Sequence, residues 1–420
     1  MVWKRLMVFA VVLVAALFVV QFMMSGEDSE ETRPSPMKPA VDDEQPVNPK
    51  EQTTEVDAVA KTLAEMSLEE KIGQMLFAGI SGTEMSDSTN RLINSYHVGG
   101  LIFYKNNIAS TSQIVTLQNE IRAANAGGRL PLLLGVDQEG GRISRLPNEV
   151  TNLPTSLAIG NVNNPAYAFE IGTLLGKEVK AFGFNLDFAP VLDVNSNPNN
   201  PVIGDRSFGK HPEMVSTLGV ETMKGIESEN VIPVVKHFPG HGDTSVDSHL
   251  ELPTVNKSLA ELEELELIPF AAAVENGADV VMAAHILLPK IDPTYPSSMS
   301  KVILTDMLRE QLGFNGVIIT DDMTMGAIAD NYSIAQAAVQ SVKAGSDIIL
   351  VAHGENNIQA AAAAIKAAIE NGEMKEERID ESVARIIRLK QKYNLDDAKV
   401  SNVNTAQLNE EISEVLNQYN

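Results

Sequence analysis

The sequence predicts an α/β protein whose folded part is a single (β/α)8 TIM barrel, and three observations carry that expectation. Eight short apolar runs recur along the chain: Met75–Ile80, Gly100–Phe103, Leu132–Val136, Phe184–Phe188, Ile232–Lys236, Val280–Ala283, Val317–Thr320 and Ile348–Val351. Helical patterns separate them, for example over 166–182, 213–229, 257–276 and 334–344. Strands that alternate with helices build a parallel sheet, and such strands are apolar throughout because helices cover them. Eight units favour a closed barrel over an open, doubly wound sheet. Finally, polar residues collect where the runs end. Asp137 and Glu139 follow the third run, and Asp187 and Asn195 lie at or beyond the fourth. Lys236 and His237 end the fifth, His285 follows the sixth, and Asp321 with Asp322 follows the seventh. Barrel active sites form at the C-terminal ends of strands, so all of these groups are expected on one rim.

The barrel is expected over residues 58–395, closed by a packing helix over 378–394 that carries Ile379, Val383, Ile386, Ile387 and Leu389. Pro131 stands just ahead of the third run, where a missing N–H is tolerated. Residues 396–420 read as a polar tail with no room for a second folded domain. Ahead of the barrel, residues 26–57 are acidic and rich in Pro, Ser and Thr, the composition of a disordered linker. Residues 1–25 read as a signal peptide or a transmembrane anchor. Lys4 and Arg5 precede an apolar run from Leu6 to Met24 that only Gln21 interrupts. At about 1.5 Å per residue, such a run nearly matches a hydrocarbon core of about 30 Å. The basic flank predicts that this end stays in the cytoplasm and the rest is exported. An extracytoplasmic protein, anchored or secreted, is the expectation.

Composition narrows the chemistry. The formal net charge of −24 argues against a nucleic-acid partner, because phosphate binding needs a basic face. The chain holds no cysteine, which excludes disulfides, thiolate metal sites and a cysteine nucleophile.

The densest chemical segment is Val235-Lys-His-Phe-Pro-Gly-His-Gly-Asp-Thr-Ser-Val-Asp-Ser-His249, with three of the seven histidines. A metal assignment would use His237, His241 and Asp243 or His249. Pro239-Gly240 between the first two histidines prevents them from sharing a helix face, as helical zinc motifs require. Acid–base chemistry suits the segment better. Asp247 and His249 are one residue apart, and a carboxylate against one imidazole nitrogen sets the tautomer and raises the basicity of the other. A second segment, Leu312-Gly-Phe-Asn-Gly-Val-Ile-Ile-Thr-Asp-Asp-Met323, brings two adjacent carboxylates to the rim. Successive side chains diverge, so Asp321 is expected to face the substrate, and Asp322 to cap a helix or face solvent.

These motifs resemble family-3 glycoside hydrolases. Gly316–Asp321 within Leu312–Met323 is similar to the nucleophile signature of that family. Lys236–His249 resembles the loop of its β-N-acetylglucosaminidase branch, and so do Val136-Asp-Gln-Glu-Gly-Gly-Arg-Ile-Ser-Arg145 and Gly204-Asp-Arg-Ser-Phe-Gly209. With Gly99–Phe103, the resemblance covers roughly residues 58–395. It implies a retaining exo-β-N-acetylhexosaminidase with Asp321 as nucleophile and His249, paired with Asp247, as general acid/base. Asp137, Arg145, Arg206, Lys236 and His237 match positions that hold the hydroxyls of a terminal N-acetylglucosamine. Many members of the family carry a second domain that supplies a carboxylate acid/base; here a loop histidine stands in its place. The resemblance implies no metal or organic cofactor and a monomeric enzyme. A muropeptide derived from peptidoglycan is the substrate expected from the resemblance and the export pattern, with no nucleic-acid partner and a membrane contact only through an uncleaved N-terminus. The competing assignments are a β-glucosidase or β-xylosidase of the same family, a tethered wall-sugar-binding protein, and a metal-dependent hydrolase.

Overall fold

The computed structural model describes residues 58–419, so the expected signal or anchor segment and the linker lie outside the described residues. Eight strands follow the predicted runs: β1 (Leu76–Gly79), β2 (Gly100–Phe103), β3 (Leu133–Val136), β4 (Leu186–Asp187), β5 (Ile232–Phe238), β6 (Val280–Ala283), β7 (Val317–Thr320) and β8 (Ile349–Val351). They form one parallel sheet in the order β7-β6-β5-β4-β3-β2-β1-β8. A single parallel bridge, Ile319 to Ile348, nearly closes the ring between β7 and β8. The Leu350 N–H adds a bond to Thr320 Oγ1 at 3.1 Å across that seam. This is the expected α/β barrel architecture.

Strand and helix choices follow from the side chains. Nearly every strand residue is buried, because one face fills the barrel and the other meets helices. Phe77 and Phe188 meet edge-to-face inside it, with centroids 5.7 Å apart. Outside, the helices Pro165–Ala181 and Pro212–Ser228 each begin on a proline, whose missing N–H costs nothing in a first turn.

Three segments depart from the sequence expectation. The run Phe184–Phe188 keeps only two strand residues, since the Asn185 side chain takes over ladder bonds to β3. Its Oδ1 accepts from the Leu134 N–H at 2.7 Å and its Nδ2 donates to the Leu132 carbonyl at 2.9 Å. The helix expected over 257–276 divides into Leu259–Glu263 and Leu267–Glu275. Pro269 cannot donate back into the preceding turn, so it sits in the first turn of a new helix instead. The polar tail contains a helix, Thr405–Gln418, that packs on Pro165–Ala181 through a narrow stripe including buried Leu408 and Ile412. Apolar residues four apart suffice to dock a helix even when most of its surface is polar.

Candidate active site

A cavity of about 180 Å³ opens at the C-terminal ends of the strands. Asp137, Arg145, Arg206, Lys236, His237, His249 and Asp321 all line it, and Asp247 stands just behind His249. Chain segments as far apart as 137–145 and 321 therefore converge on one space.

β7 delivers Asp321. Its N–H donates to the Ala283 carbonyl at 2.9 Å, and its Oδ1 accepts from the Asp322 N–H at 2.8 Å. Burial alone would raise the Asp321 carboxyl; His285, His237 and the Asp322 N–H outweigh it, and the group is held below its ordinary value. It is a carboxylate near neutral pH. Asp322 is neither exposed nor a helix cap. Its Oδ1 accepts from the Thr324 and Ala352 N–H groups, each at 2.9 Å, and its Oδ2 from the Thr324 hydroxyl at 2.6 Å. The turn between β7 and the next helix needs those bonds, so this carboxylate holds backbone.

β5 delivers two side chains in succession. Its register with β6 shifts between Val235 and Phe238, and an irregularity of this kind re-aims side chains. Lys236 and His237 accordingly both line the cavity. Lys236 Nζ lies 2.7 Å from Asp137 Oδ1 and 2.8 Å from Glu139 Oε1. Arg206 grips the same Glu139 with two bonds, Nε to Oε2 at 2.8 Å and Nη2 to Oε1 at 2.7 Å. Burial would raise the Glu139 carboxyl, yet Arg206 and Lys236 hold it far below the usual carboxylate range. Arg145 lines the cavity, and its buried Nε has no hydrogen-bond partner among the described residues, so it is available to a ligand.

His237 is oriented by Asp193, a fully buried carboxylate after β4. Asp193 Oδ2 lies 2.6 Å from His237 Nδ1, while its Oδ1 accepts from the His241 N–H at 2.6 Å and the His237 N–H at 3.3 Å. Burial would raise this carboxyl as well, but His237 and the other donors hold it below its ordinary value. An ionised Asp193 puts the proton on His237 Nδ1. Nε2, 3.5 Å from Arg206 Nη2, is left as an acceptor toward the cavity.

The loop between His241 and His249 carries the remaining chemistry. Burial, with His237 nearby, depresses His241 to about 4, so its ring is neutral. Its nitrogens are committed to the Thr244 hydroxyl at 2.8 Å and the Ser248 hydroxyl at 3.1 Å. Among the described residues no group of three or more His, Asp or Glu side chains is arranged to hold a metal ion. Asp247 Oδ1 meets both the His249 N–H at 2.9 Å and His249 Nδ1 at 2.8 Å. Burial would raise the Asp247 carboxyl, but those two bonds, with His249 and His241 close by, hold it below its ordinary value. The expected pairing is formed, and His249 Nε2 is the nitrogen left for a ligand.

Three of the rim groups do not line the cavity: Asn195, His285 and Asp187. His285 is buried between the Ser298 hydroxyl at 2.7 Å and the Asp322 carbonyl at 3.0 Å. Asp187 is buried and accepts from the Gln138 N–H at 3.0 Å; burial raises its carboxyl well above the ordinary value, so it is neutral. Two residues join the site without having been singled out as ligands. Glu139 is flagged only by its place two residues after Asp137, and Asp193 only by following the apolar segment Phe188–Leu192. The pairing partners that reveal them are distant in sequence.

Comparison with known proteins bears on the family and the fold. Residues 67–389 match the glycosyl hydrolase family 3 N terminal domain. Beta-hexosaminidase A of Pseudoalteromonas piscicida is 35% identical over 347 residues, 77% of this chain and 58% of that protein. The chain thus spans less than two thirds of the length of that relative. Beta-hexosaminidase of Thiobacillus denitrificans is 36% identical over 66% of this chain and 77% of its own length. Among solved structures, the family 3 beta-N-acetylglucosaminidase of Paenibacillus sp. str. FPU-7 superposes with a TM-score of 0.79 at 41% identity, over 83% of this chain and 68% of that one. With the barrel and its rim in place, the matched segment decides the assignment: the chain belongs to glycosyl hydrolase family 3.

Proposed function

We propose that the chain is a retaining exo-β-N-acetylhexosaminidase that removes a terminal β-N-acetylglucosamine. One observation supports this: Asp321, the His249–Asp247 pair and the five side chains expected to hold sugar hydroxyls converge on a single small cavity. Pockets for drug-sized ligands run to about 300–1,000 Å³; at about 180 Å³ this one suits one sugar ring. Relatives named beta-hexosaminidase support the same reading.

In the proposed reaction the Asp321 carboxylate attacks the anomeric carbon while the bond to the leaving oxygen breaks. The His249 imidazolium passes its Nε2 proton to that oxygen, with Asp247 holding the ring through Nδ1. A glycosyl ester on Asp321 results. Neutral His249 then takes a proton from water, the hydroxide displaces Asp321, and the sugar leaves with its configuration retained. The usual retaining scheme uses two carboxyl groups about 5–5.5 Å apart; here the histidine does the second carboxyl's work. Asp137 accepts from sugar hydroxyls, Lys236, Arg145 and Arg206 donate, and His237 Nε2 accepts.

The reading extends to substrate and place. The N-terminal charge and hydropathy pattern supports a barrel exported across the membrane, acting on muropeptides or related wall-derived glycans. The test is nitrophenol release by the full chain, with and without Asp321→Ala, from the β-N-acetylglucosaminide and the β-glucoside. A strong preference for the N-acetyl sugar, abolished by the substitution, is expected. Equal rates on both sugars would favour a β-glucosidase, and release that survives the substitution would remove Asp321 from its role.

A further inference from the structure

The helix Thr405–Gln418 lies beyond the family-matched residues, yet one of its side chains reaches the loop that braces the sugar site. Asn409 Oδ1 accepts from the Thr151 N–H at 2.8 Å, and its Nδ2 donates to the Glu149 carbonyl at 2.9 Å. Both backbone partners have fixed polarity, so the orientation of the amide is unambiguous. From the far side, the Thr111 hydroxyl donates to the Glu149 carboxylate at 2.6 Å. The loop is held from two sides.

That loop backs the hairpin carrying Glu139, Ile143 and Arg145, all of which line the cavity. The Gly141 N–H donates to the Leu153 carbonyl at 2.8 Å, and Asn152 Nδ2 donates to the Gly141 carbonyl at 2.6 Å. Within the hairpin, the Glu139 N–H donates to the Ile143 carbonyl at 2.9 Å. Gly140 has a φ of +83°, and a Cβ there would stand 2.5 Å from the Pro154 carbonyl oxygen. Turn and loop therefore meet backbone to backbone at Gly141 and Gly140, and the Asn152 side chain adds a third link. Docking of the helix has separate anchors. Leu408 and Ile412 are buried, Lys177 pairs with Glu411 at 2.6 Å, and Tyr419 packs on Tyr167 with centroids 4.5 Å apart.

We propose that the helix Thr405–Gln418 is a strap for the sugar-contacting hairpin and that Asn409 is its positioning residue. The effect on turnover rests on the glycosidase reading above; the mechanical link does not. Asn409 touches neither sugar nor reacting atoms. Its loss loosens contacts made to the bound ring in ground state and transition state alike, which raises KM more than it lowers kcat.

The test compares wild type, Asn409→Ala and Glu411→Gln, all in the full chain. Glu411 shares the helix but contacts Lys177 and Gln407 and not the loop. On nitrophenyl β-N-acetylglucosaminide, Asn409→Ala is expected to raise KM about three- to tenfold with kcat within about twofold, the scale of one or two net hydrogen bonds. Glu411→Gln is expected to leave both constants unchanged whatever it does to Tm. Amide hydrogen exchange gives a second readout: protection at Glu139 and Gly141 falls in Asn409→Ala and persists in Glu411→Gln. Unchanged KM and unchanged protection in Asn409→Ala would overturn the strap, as would equal effects in the two variants. A wild type inactive on the glycoside would defeat the glycosidase reading alone, since exchange still decides the mechanical link.

Discussion

Replacing Asp193 by asparagine tests how the sugar site is ordered, because the substitution keeps shape and removes one acceptor. Asp193 accepts three N–H groups: His237 Nδ1–H at 2.6 Å, the His241 N–H at 2.6 Å and the His237 N–H at 3.3 Å. An amide accepts at one end only. With its NH2 toward His237, the ring must move its proton to Nε2, which then faces the Arg206 guanidinium at 3.5 Å as donor against donor. With its NH2 toward the loop, two buried backbone N–H groups lose their acceptor. Either arrangement forfeits a hydrogen bond to a charged group, worth about 1.5–3 kcal/mol. At about 1.4 kcal/mol per factor of ten, kcat/KM is expected to fall roughly tenfold to a hundredfold. Steady-state kinetics on nitrophenyl β-N-acetylglucosaminide measures the loss, and the ring nitrogen chemical shifts of His237 report the tautomer. A variant within twofold of wild type, with the proton still on Nδ1, would refute the reasoning.

Three other substitutions probe separate parts of the site. His249→Ala is expected to keep near-normal binding and lose about 10²–10⁴ in turnover, with partial recovery on substrates having good leaving groups; equal losses on good and poor leaving groups would count against a general acid. Glu139→Gln leaves Lys236 and Arg206 without their shared buried partner, and breaking such a pair costs about 3–5 kcal/mol. A lowered Tm and a KM raised at least about tenfold are expected from calorimetry and kinetics, and an unchanged KM would show that Glu139 does not order the site. Glu178, buried on Gln138, has a carboxyl that burial pushes from 4.5 up to about 8. Between those values the unfolded chain sheds this proton and the folded one keeps it, so the wild type loses stability as pH rises from 4.5 to about 8. Glu178→Gln removes that dependence. Its Tm advantage over wild type is expected to grow across this window and then level off, and a gap independent of pH would contradict the assignment.

How much of this was legible beforehand depends on the range of the interaction that decides each feature. β2, β6 and β7 match their predicted limits to the residue, since an apolar run between polar ends marks a buried strand locally. β4 was overextended because the Asn185 amide imitates backbone bonds to a strand some fifty positions earlier, which no local pattern records. Asp321, His249 and Asp247 stood out because their motifs are contiguous. Asp193 and Glu139 did not: each owes its importance to a partner brought by a distant segment, His237 from β5 and Arg206 from the segment after β4. The strap helix was hidden by its composition. Its two buried apolar residues, Leu408 and Ile412, are outnumbered by polar ones that mostly face solvent.

The charges around the cavity bear on why a histidine suits the acid/base position. Asp137, Glu139, Asp321 and Asp322 line it together with Lys236, Arg206 and Arg145, four carboxylates against three cations. Asp193 is spent on His237, and Asp247 on His249. In the proposed reaction His249 gives up its proton as Asp321 loses its charge to the ester, and takes one back as the carboxylate is released. Once Asp321 is esterified that negative charge is gone, and Asp137, Glu139 and Asp322 stand against the three cations. A carboxyl acid/base would be left ionised beside the ester among those carboxylates, whereas a histidine is left neutral. An exposed imidazole on a loop, 63% accessible and tied to one carboxylate, adds no negative charge there when it has given up its proton. In the proposed reaction the site thus never holds an ionised acid/base beside the ester on Asp321.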